Sequence, residues 1–249
     1  MIQLRPMRVL LISDIHSNLA ALEAVLNHAE KFDAAWCLGD IVGYGPAPNQ
    51  CIQKLRDLPL TCLAGNHEWA VLEKLELKAF NKDAQHAIRW TQDVLSSQNR
   101  AWLEQLSSML MPPDYDITLV HGSPRQPIWE YILSVTTASE NLSYFDTSVC
   151  FFGHTHVPVV YLQARDSEHM TLQYLSEDKP FALAPKMLLN PGSVGQPRDR
   201  DPRAAYALLD LDARTFTYHR VAYDIAATQA AMLRADLPPR LIARLDYGV

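Results

Sequence analysis

Residues 9–16 read VLLISDIH: four apolar residues, a serine, and then an acid and an imidazole two positions apart. Four apolar residues in a row predict a strand that is buried on both faces, as in a parallel sheet. Asp14 and His16 follow that strand, and on an extended segment their side chains leave the same side. One metal ion can then take both. Taken alone, such a pair is more often an ordinary strand-end Asp beside an exposed His.

The same arrangement recurs four times further along the chain. After apolar runs at 34–38, 60–63, 117–120 and 149–152 come the polar blocks Gly39-Asp40, Gly65-Asn66-His67-Glu68, His121-Gly122 and Gly153-His154-Thr155-His156. Loops at the carboxyl ends of parallel strands build the site of an open α/β sheet. A site spread over five strand ends can hold two divalent ions, and such pairs of ions are typical of phosphate ester chemistry.

Each block on its own has a second interpretation. Asp40 can bridge two ions about 3.5–4 Å apart, or it can be a turn or cap residue. Asn66 offers a neutral oxygen ligand, but it can also cap the helix that follows. His121 is equally a ligand or a hydrogen-bonded strand-end histidine. The pair His154 and His156, added to oxygen donors, suits Mn²⁺, Fe²⁺ or Zn²⁺.

The order of predicted elements indicates an α/β fold. Residues 8–80 alternate as β-α-β-α-β-α, residues 81–110 look entirely helical, and strands dominate afterwards. Those later strands are predicted at 117–120, 149–152, 157–162, 187–190, 204–210 and 214–221. The polar segment 163–186 fits a hairpin or surface excursion, and 224–246 fits one or two helices broken by Pro238-Pro239. The simplest interpretation is a single domain, 1–249, with two packed mixed β-sheets flanked by helices.

Composition excludes several classes of protein. Of the 249 residues, 48% are apolar and 20% charged, which is typical of a soluble globular chain. No apolar run approaches the length of a membrane span, and residues 1–8 show no export signal, so we expect a cytoplasmic protein. The net charge of -6 argues against a nucleic-acid surface. The strand cysteines are interpreted as buried, reduced thiols: Cys37, Cys62 and Cys150.

In this order the blocks resemble the motifs of the calcineurin-like metallophosphoesterase superfamily, D-x-H, G-D, G-N-H-D/E, H and G-H-x-H. The five blocks span residues 14 to 156. Residues 39–46, 121–125 and 190–198 also look like those of a branch of small bacterial and archaeal phosphodiesterase-like proteins. The resemblance implies a four-layer α-β-β-α sandwich that binds two divalent ions, with Mn²⁺ as first choice and Fe²⁺, Zn²⁺ or Ni²⁺ as alternatives.

The resemblance also implies roles by position. The first ion would be held by Asp14, His16, Asp40 and His156, and the second by Asp40, Asn66, His121 and His154. Asp40 would bridge them. The implied reaction is attack of a metal-bridged hydroxide on a phosphodiester or a nucleotide-type phosphoanhydride, such as a dinucleoside polyphosphate. His67 matches the position that assists the leaving group. The expected partner is thus a small, nucleotide-like anion, and oligomerisation is compatible with the sequence.

Departures from the best-known relatives leave alternatives open. Gly43 and Tyr44 stand where protein Ser/Thr phosphatases have Asp and Arg, which disfavours a phosphoprotein substrate. In those phosphatases the Arg binds the phosphate of the substrate. Arg125 and Arg198 can take over this contact, although each is equally compatible with a structural ion pair. Three aromatic residues can stack on a nucleobase or simply pack: Tyr44, Trp129 and Tyr131. A small-metabolite phosphomonoesterase and a non-catalytic metal-binding scaffold of the same fold are the alternative functions.

Overall fold

Twelve strands and eight α-helices make up the described part of a computed structural model, residues 7–165 and 167–249. The strands are β1 Arg8–Ile12, β2 Ala34–Cys37, β3 Leu60–Cys62, β4 Met109–Leu110, β5 Ile117–Val120, β6 Val149–Phe151, β7 Val159–Gln163, β8 Met170–Gln173, β9 Pro180–Ala182, β10 Met187–Asn190, β11 Ala204–Asp210 and β12 Thr215–Val221. The helices are α1 Leu19–His28, α2 Pro48–Arg56, α3 Asn66–Val71, α4 Lys82–Val94, α5 Ser97–Leu103, α6 Val135–Glu140, α7 Ile225–Arg234 and α8 Pro239–Ala243. Most of the segment used to judge export, residues 1–6, lies outside the described residues, as does Asp166.

The strands form two mixed six-stranded sheets, as the sequence predicts. The first has the order β3-β2-β1-β11-β12-β9, and the second has the order β4-β5-β6-β10-β7-β8. Strands β1, β2 and β3 are parallel to one another, and so are β5, β6 and β10. All five polar blocks follow strands of these two parallel sets, so each sheet contributes its strand-end loops to the site.

Alternation along the buried strands produces the layers. In β1, Val9 and Leu11 pack between the two sheets, whereas Leu10 and Ile12 pack against the helices that cover the first sheet. The interior between the sheets also contains Phe151 of β6 and Phe216 of β12. Since successive strand residues point to opposite faces, a strand buried on both faces reads as a continuous apolar run. The four cysteines are free and buried, which confirms that prediction.

Two of the predicted elements are wrong in detail. Residues 81–110 are not one helix: the Ser96 side chain accepts the main-chain N–H of Asn99 at 3.2 Å and starts α5 as a separate helix. The same segment ends in β4, which pairs with β5. In the excursion 163–186, β8 forms the predicted hairpin with β7, but β9 crosses to the edge of the first sheet and pairs with β12. Pro180 is tolerated there because it begins an edge strand.

The C-terminal elements confirm the predicted broken helix. α7 ends at Arg234, α8 begins at Pro239, and a 3₁₀ turn follows at Arg244–Asp246. Among the described helices, none combines the length and apolar content that a membrane span requires.

Packing between the sheets is tested by replacing Phe151 with alanine. Phe151 is fully buried and stacks on Phe216 of the opposite sheet, with ring centroids 6.1 Å apart. The change leaves a cavity, so the free energy of unfolding should fall by about 3–5 kcal/mol in urea titrations. Tyr174, 87% exposed, is the control, and Tyr174→Ala should change stability little. A Phe151→Ala protein as stable as this control would contradict the described packing.

Candidate metal centre

All seven predicted ligand residues lie together in one buried cluster. Each is at most 3% exposed: Asp14, His16, Asp40, Asn66, His121, His154 and His156. They come from the loops after β1, β2 and β3 of the first sheet and β5 and β6 of the second. The cluster therefore forms where the strand ends of the two sheets meet.

Asp40 occupies the middle of this cluster. Its Oδ2 lies 3.6 Å from Nε2 of His16 and 3.5 Å from Nε2 of His121. Its Oδ1 accepts the main-chain N–H of His67 at 2.9 Å, which fixes the orientation of the carboxylate. On the other side, Oδ1 of Asp14 lies 3.3 Å from Nε2 of His156. Oδ2 of Asp40 thus faces one imidazole from each sheet, that of His16 and that of His121.

The donor atoms separate into two groups that share Asp40. The ligand atoms of Asp14, His16, Asp40 and His156 lie within 4.8 Å of one another, and so do those of Asp40, His121 and His154. Asn66 adjoins the second group, because its Oδ1 lies 3.1 Å from Nε2 of His121. These groupings coincide with the two ligand sets that the resemblance implies.

Main-chain carbonyls orient all four clustered histidines. The contacts are His16 Nδ1 to Val42 O (3.1 Å), His121 Nδ1 to Leu38 O (2.9 Å), His156 Nδ1 to Gln196 O (2.6 Å) and His154 Nε2 to Trp129 O (3.2 Å). A ring nitrogen that contacts a carbonyl oxygen must donate, so a neutral imidazole presents a lone pair at its other nitrogen. In every case that other nitrogen points into the cluster.

The pair His16 and His156 shows most directly that the cluster fits a cation. Their Nε2 atoms lie 3.1 Å apart, and each ring donates its Nδ1 hydrogen to a carbonyl. Burial lowers the pKa of both residues well below the usual value, so both rings are neutral. Two lone pairs then face one another at hydrogen-bond distance without a proton between them. A metal ion coordinated by both nitrogens satisfies this geometry.

Charge in the cluster leads to the same conclusion. Asp14 and Asp40 are fully buried carboxylates, and no Lys or Arg pairs with either of them in the described chain. Burial raises the pKa of Asp14 to about 7. Burial favours a neutral His121, but the charge and hydrogen bond of Asp40 outweigh it and raise the pKa of His121 to about 9. The positive charge on protonated His121 partly neutralises Asp40, which a bound divalent cation would do instead.

Backbone strain concentrates on the same residues. Five of the seven have left-handed φ angles: Asp14 (53°), His16 (47°), Asp40 (52°), His154 (65°) and His156 (61°). Non-glycine residues in this region cost about 1–3 kcal/mol each and persist only where surrounding structure holds them. Strained residues tend to cluster at functional sites, so these angles support the interpretation of this edge as a candidate site.

Glu68 holds two of the loops together. Its Oε2 accepts the main-chain N–H groups of Asp40 (2.8 Å) and Gly65 (2.7 Å), and its Oε1 accepts that of Val42 (2.9 Å). A Cβ on Gly65 would come 2.2 Å from Oδ1 of Asp40, so only glycine allows this approach. Burial and the charge of Asp40 raise the pKa of Glu68 to about 7. Glu68 belongs to the block Gly65-Asn66-His67-Glu68, but its role in joining the loops is not visible in that pattern.

His67 lies beside the cluster rather than within either donor group. Its ring packs against those of His16 and Tyr44, with centroids 4.8 and 4.4 Å away. Its Nδ1 is buried and has no hydrogen-bond partner among the described residues. Burial lowers the pKa of His67 to about 4, although Asp40 opposes that shift. The ring is thus neutral and retains unused hydrogen-bonding capacity.

The two predicted substrate arginines have different surroundings. Nε of Arg125 donates to Glu130 at 3.1 Å and its Nη2 to Glu140 at 3.0 Å, so this guanidinium takes part in structural ion pairs. Nη2 of Arg198 donates to Gln196 at 2.9 Å, and its buried Nε has no partner in the described structure. Carboxylates therefore neutralise Arg125, whereas the donors of Arg198 that face no acid are left for a ligand.

Other sequence interpretations are now resolved. Asn66 does not cap the following helix, because α3 begins at Asn66 with Gly65 in the cap position. Trp129 packs edge-on against Phe80, with ring centroids 5.1 Å apart. Tyr131 is 42% exposed and stacks on His154 at 3.8 Å. The carbonyls that orient the histidines could not have been found from the sequence, since every residue carries one.

Two mixed sheets with buried Asp and His side chains at their shared edge define a metallophosphoesterase-type protein. The sequence profile of the calcineurin-like phosphoesterase superfamily domain matches residues 7–214, so the chain belongs to this superfamily. Family membership supports a phosphoesterase that binds divalent metal.

Similar proteins occur in bacteria and archaea. A metallophosphoesterase from Sphaerobacter thermophilus, known from its crystal structure, is 45% identical, with a TM-score of 0.88 over 98% of this chain and 100% of that one. An uncharacterized protein of Methanocaldococcus jannaschii is 38% identical over an alignment of 246 residues, and the match covers 96% of this chain and 98% of that one. The hypothetical protein PH1004 of Pyrococcus horikoshii shares the fold, with 19% identity and a TM-score of 0.77 over 98% of this chain and 99% of that one.

The positioning role of Glu68 is tested by Glu68→Gln. The three main-chain N–H groups are shared between the two carboxylate oxygens, and a carboxamide replaces one of these oxygens by an NH2 donor. At least one buried N–H group then loses its acceptor, so we expect the free energy of unfolding to fall by about 1–3 kcal/mol. Exposed Glu168→Gln is the matched control and should behave as wild type in the same urea titration. Equal stability of both variants would remove Glu68 from this role.

Proposed function

We propose that the chain is a dinuclear metal-dependent phosphoesterase that hydrolyses a phosphodiester or a nucleotide-type phosphoanhydride. The observation that carries this proposal is the short distance of 3.1 Å between Nε2 of His16 and Nε2 of His156, two ring nitrogens that have no proton between them. Both histidines belong to the first donor group, which shares Asp40 with the second donor group. Two donor groups around one carboxylate oxygen support two ions that share a bridging ligand. Membership of the phosphoesterase superfamily supports a phosphate ester as substrate.

The proposed ligand sets follow the geometry of the cluster. The first ion would be held by Asp14, His16, Asp40 and His156, and the second by Asp40, Asn66, His121 and His154. Mixed imidazole and oxygen donors support Mn²⁺ as first choice, with Fe²⁺, Zn²⁺ and Ni²⁺ also compatible. When bound, the ions would supply Lewis-acid neutralisation of the phosphate oxygens and activation of the attacking water.

We assign proton transfer to His67. Its ring lies against His16, and its Nδ1 has no partner in the described chain. The main-chain N–H of His67 donates to Asp40, which ties the position of the ring to the proposed bridging ligand. A phosphate anion next to the ring would stabilise the imidazolium and raise its pKa from about 4. Substrate binding would thus prepare His67 to protonate the leaving oxygen.

Substrate binding is assigned to Arg198 alone of the two arginine candidates. Its main-chain N–H donates to the carbonyl of His156 at 3.3 Å, so the side chain starts directly beside a proposed ligand. Its guanidinium carbon lies 5.9 Å from the centre of the Tyr44 ring. The phosphate contact of Arg125 stays a prediction that its ion pairs disfavour. Tyr131 is the more exposed aromatic beside the cluster and suits a nucleotide base.

The proposed reaction is tested with bis-p-nitrophenyl phosphate and the Mn²⁺-loaded protein. We expect turnover that chelator abolishes, and hydrolysis of the diester faster than that of p-nitrophenyl phosphate. His67→Ala should lower kcat by about 10²–10⁴-fold because it removes the proton donor. The metal content of this variant, measured in the same preparation, should stay at the wild-type value.

Exposed His86→Ala is the control for His67→Ala and should retain wild-type kcat. Full activity of His67→Ala would remove the assigned proton transfer. Preference for the monoester would favour the phosphomonoesterase alternative. No turnover of either compound or of dinucleoside polyphosphates by metal-loaded protein would favour the scaffold.

A further inference from the structure

A basic cleft lies beside Arg198, between the start of α4 and the C-terminal helical turns. Its volume is about 820 Å³. Four cationic side chains line it: Lys82, Arg198, Arg240 and Arg244. Asp83 is the one acidic side chain in the lining, and Asn81 and Tyr247 are its neutral polar side chains. The protein as a whole carries a net charge of -6, so this local excess of positive charge is opposite in sign to the whole chain.

The cations of this cleft are not neutralised by neighbouring acids. In residues 7–165 and 167–249, none of the four makes an ion pair with Asp or Glu. Arg203 and Arg220 behave differently, because they pair with Asp201, Glu177 and Asp199. These two guanidiniums thus serve ion pairs within the fold. Those of the cleft are available to an anion.

The surroundings of Arg244 disfavour its positive charge. Burial and the charge of Arg198 lower the pKa of Arg244 to about 10, and Arg240 adds to that effect. Nε of Arg244 donates to the main-chain oxygen of Val249, which leaves its terminal nitrogens for a ligand. Bringing like charges together is unfavourable unless an anion binds among them.

Arg198 connects the cleft to the candidate metal centre. It lines the cleft, lies over Tyr44, and begins at a main-chain hydrogen bond to His156. Tyr44 in turn contacts the rings of both His16 and His67. If one phosphate of a ligand lay at the metal centre, the rest of the ligand could therefore extend past Arg198 into the basic cleft.

We infer that this cleft binds further phosphate groups of the substrate, beyond the one that is hydrolysed, and so selects a polyphosphate chain over a simple diester. The inference rests on the proposed function, since it places the reacting phosphate at the metal centre. Arg240 and Arg244 lie outside residues 7–214, the part that matches the superfamily profile. Selection would thus come from C-terminal residues that the superfamily profile does not include.

The test compares inorganic tripolyphosphate with orthophosphate by isothermal titration calorimetry on metal-loaded protein, with metal content checked afterwards. Arg240→Gln should weaken tripolyphosphate binding about tenfold, as expected for loss of a charge-assisted contact, and weaken orthophosphate binding less. Arg240→Lys should restore most of the affinity because it keeps the charge. Arg240 is exposed, so its replacement does not threaten the fold, and Arg244→Gln provides a second variant.

Arg234→Gln is the matched control, because Arg234 is an exposed arginine of α7 outside the cleft. Its tripolyphosphate affinity should equal that of wild type. An unchanged affinity in Arg240→Gln and Arg244→Gln, or an equal loss in Arg234→Gln, would overturn the inference. Diester turnover separates the two proposals. If turnover depends on His67 but the arginine variants bind tripolyphosphate as wild type does, only the inference about the cleft is refuted. If the arginine variants lose tripolyphosphate affinity but wild-type protein hydrolyses no phosphoester, only the proposed reaction is refuted.

Discussion

Two buried carboxylates without a basic partner impose the constraint on which the site depends. Asp14 and Asp40 are at most 1% exposed, and within the described ranges histidines rather than Lys or Arg lie within ion-pair distance of them. Burying such charges is costly unless a cation compensates. The strained φ angles, the carbonyl-oriented imidazoles and the three N–H groups on Glu68 all hold donor atoms in this arrangement. Each of these features becomes favourable when a divalent cation binds.

The packing of the two sheets is therefore also a requirement of the site. The proposed bridging ligand Asp40 belongs to the first sheet, whereas His121, His154 and His156 belong to the second. Their relative positions depend on the apolar layer between the sheets, which includes Leu11, Phe151 and Phe216. The strands that form the apolar layer are the same strands whose ends carry the site residues. Loss of sheet packing would change the distances between donor atoms from opposite sheets.

Sequence reasoning predicted the strands and the cluster because both rest on local patterns. Apolar runs ending in Asp or His predicted the strand ends, and the two sheets and the family are confirmed. The split of 81–110 depends on a competing cap at Ser96, which a periodic apolar pattern conceals. The environments of Arg125 and Arg198 depend on how their loops fold, since Arg125 turns toward Glu130 and Glu140 whereas Arg198 lies over Tyr44. The sequence alone could not distinguish the two arginines. The single domain, 1–249, and the cytoplasmic location stay predictions.

The central claim is that Asp40 serves two ions at once, and metal analysis of purified variants tests it most directly. Wild-type protein should contain two tightly bound ions per chain. His156→Ala should retain one, because His156 belongs to the first donor group only, whereas Asp40→Ala should retain neither. Exposed Asp146→Ala should match wild type. Two tight ions in Asp40→Ala, or a wild-type protein that binds one ion at most, would contradict the account.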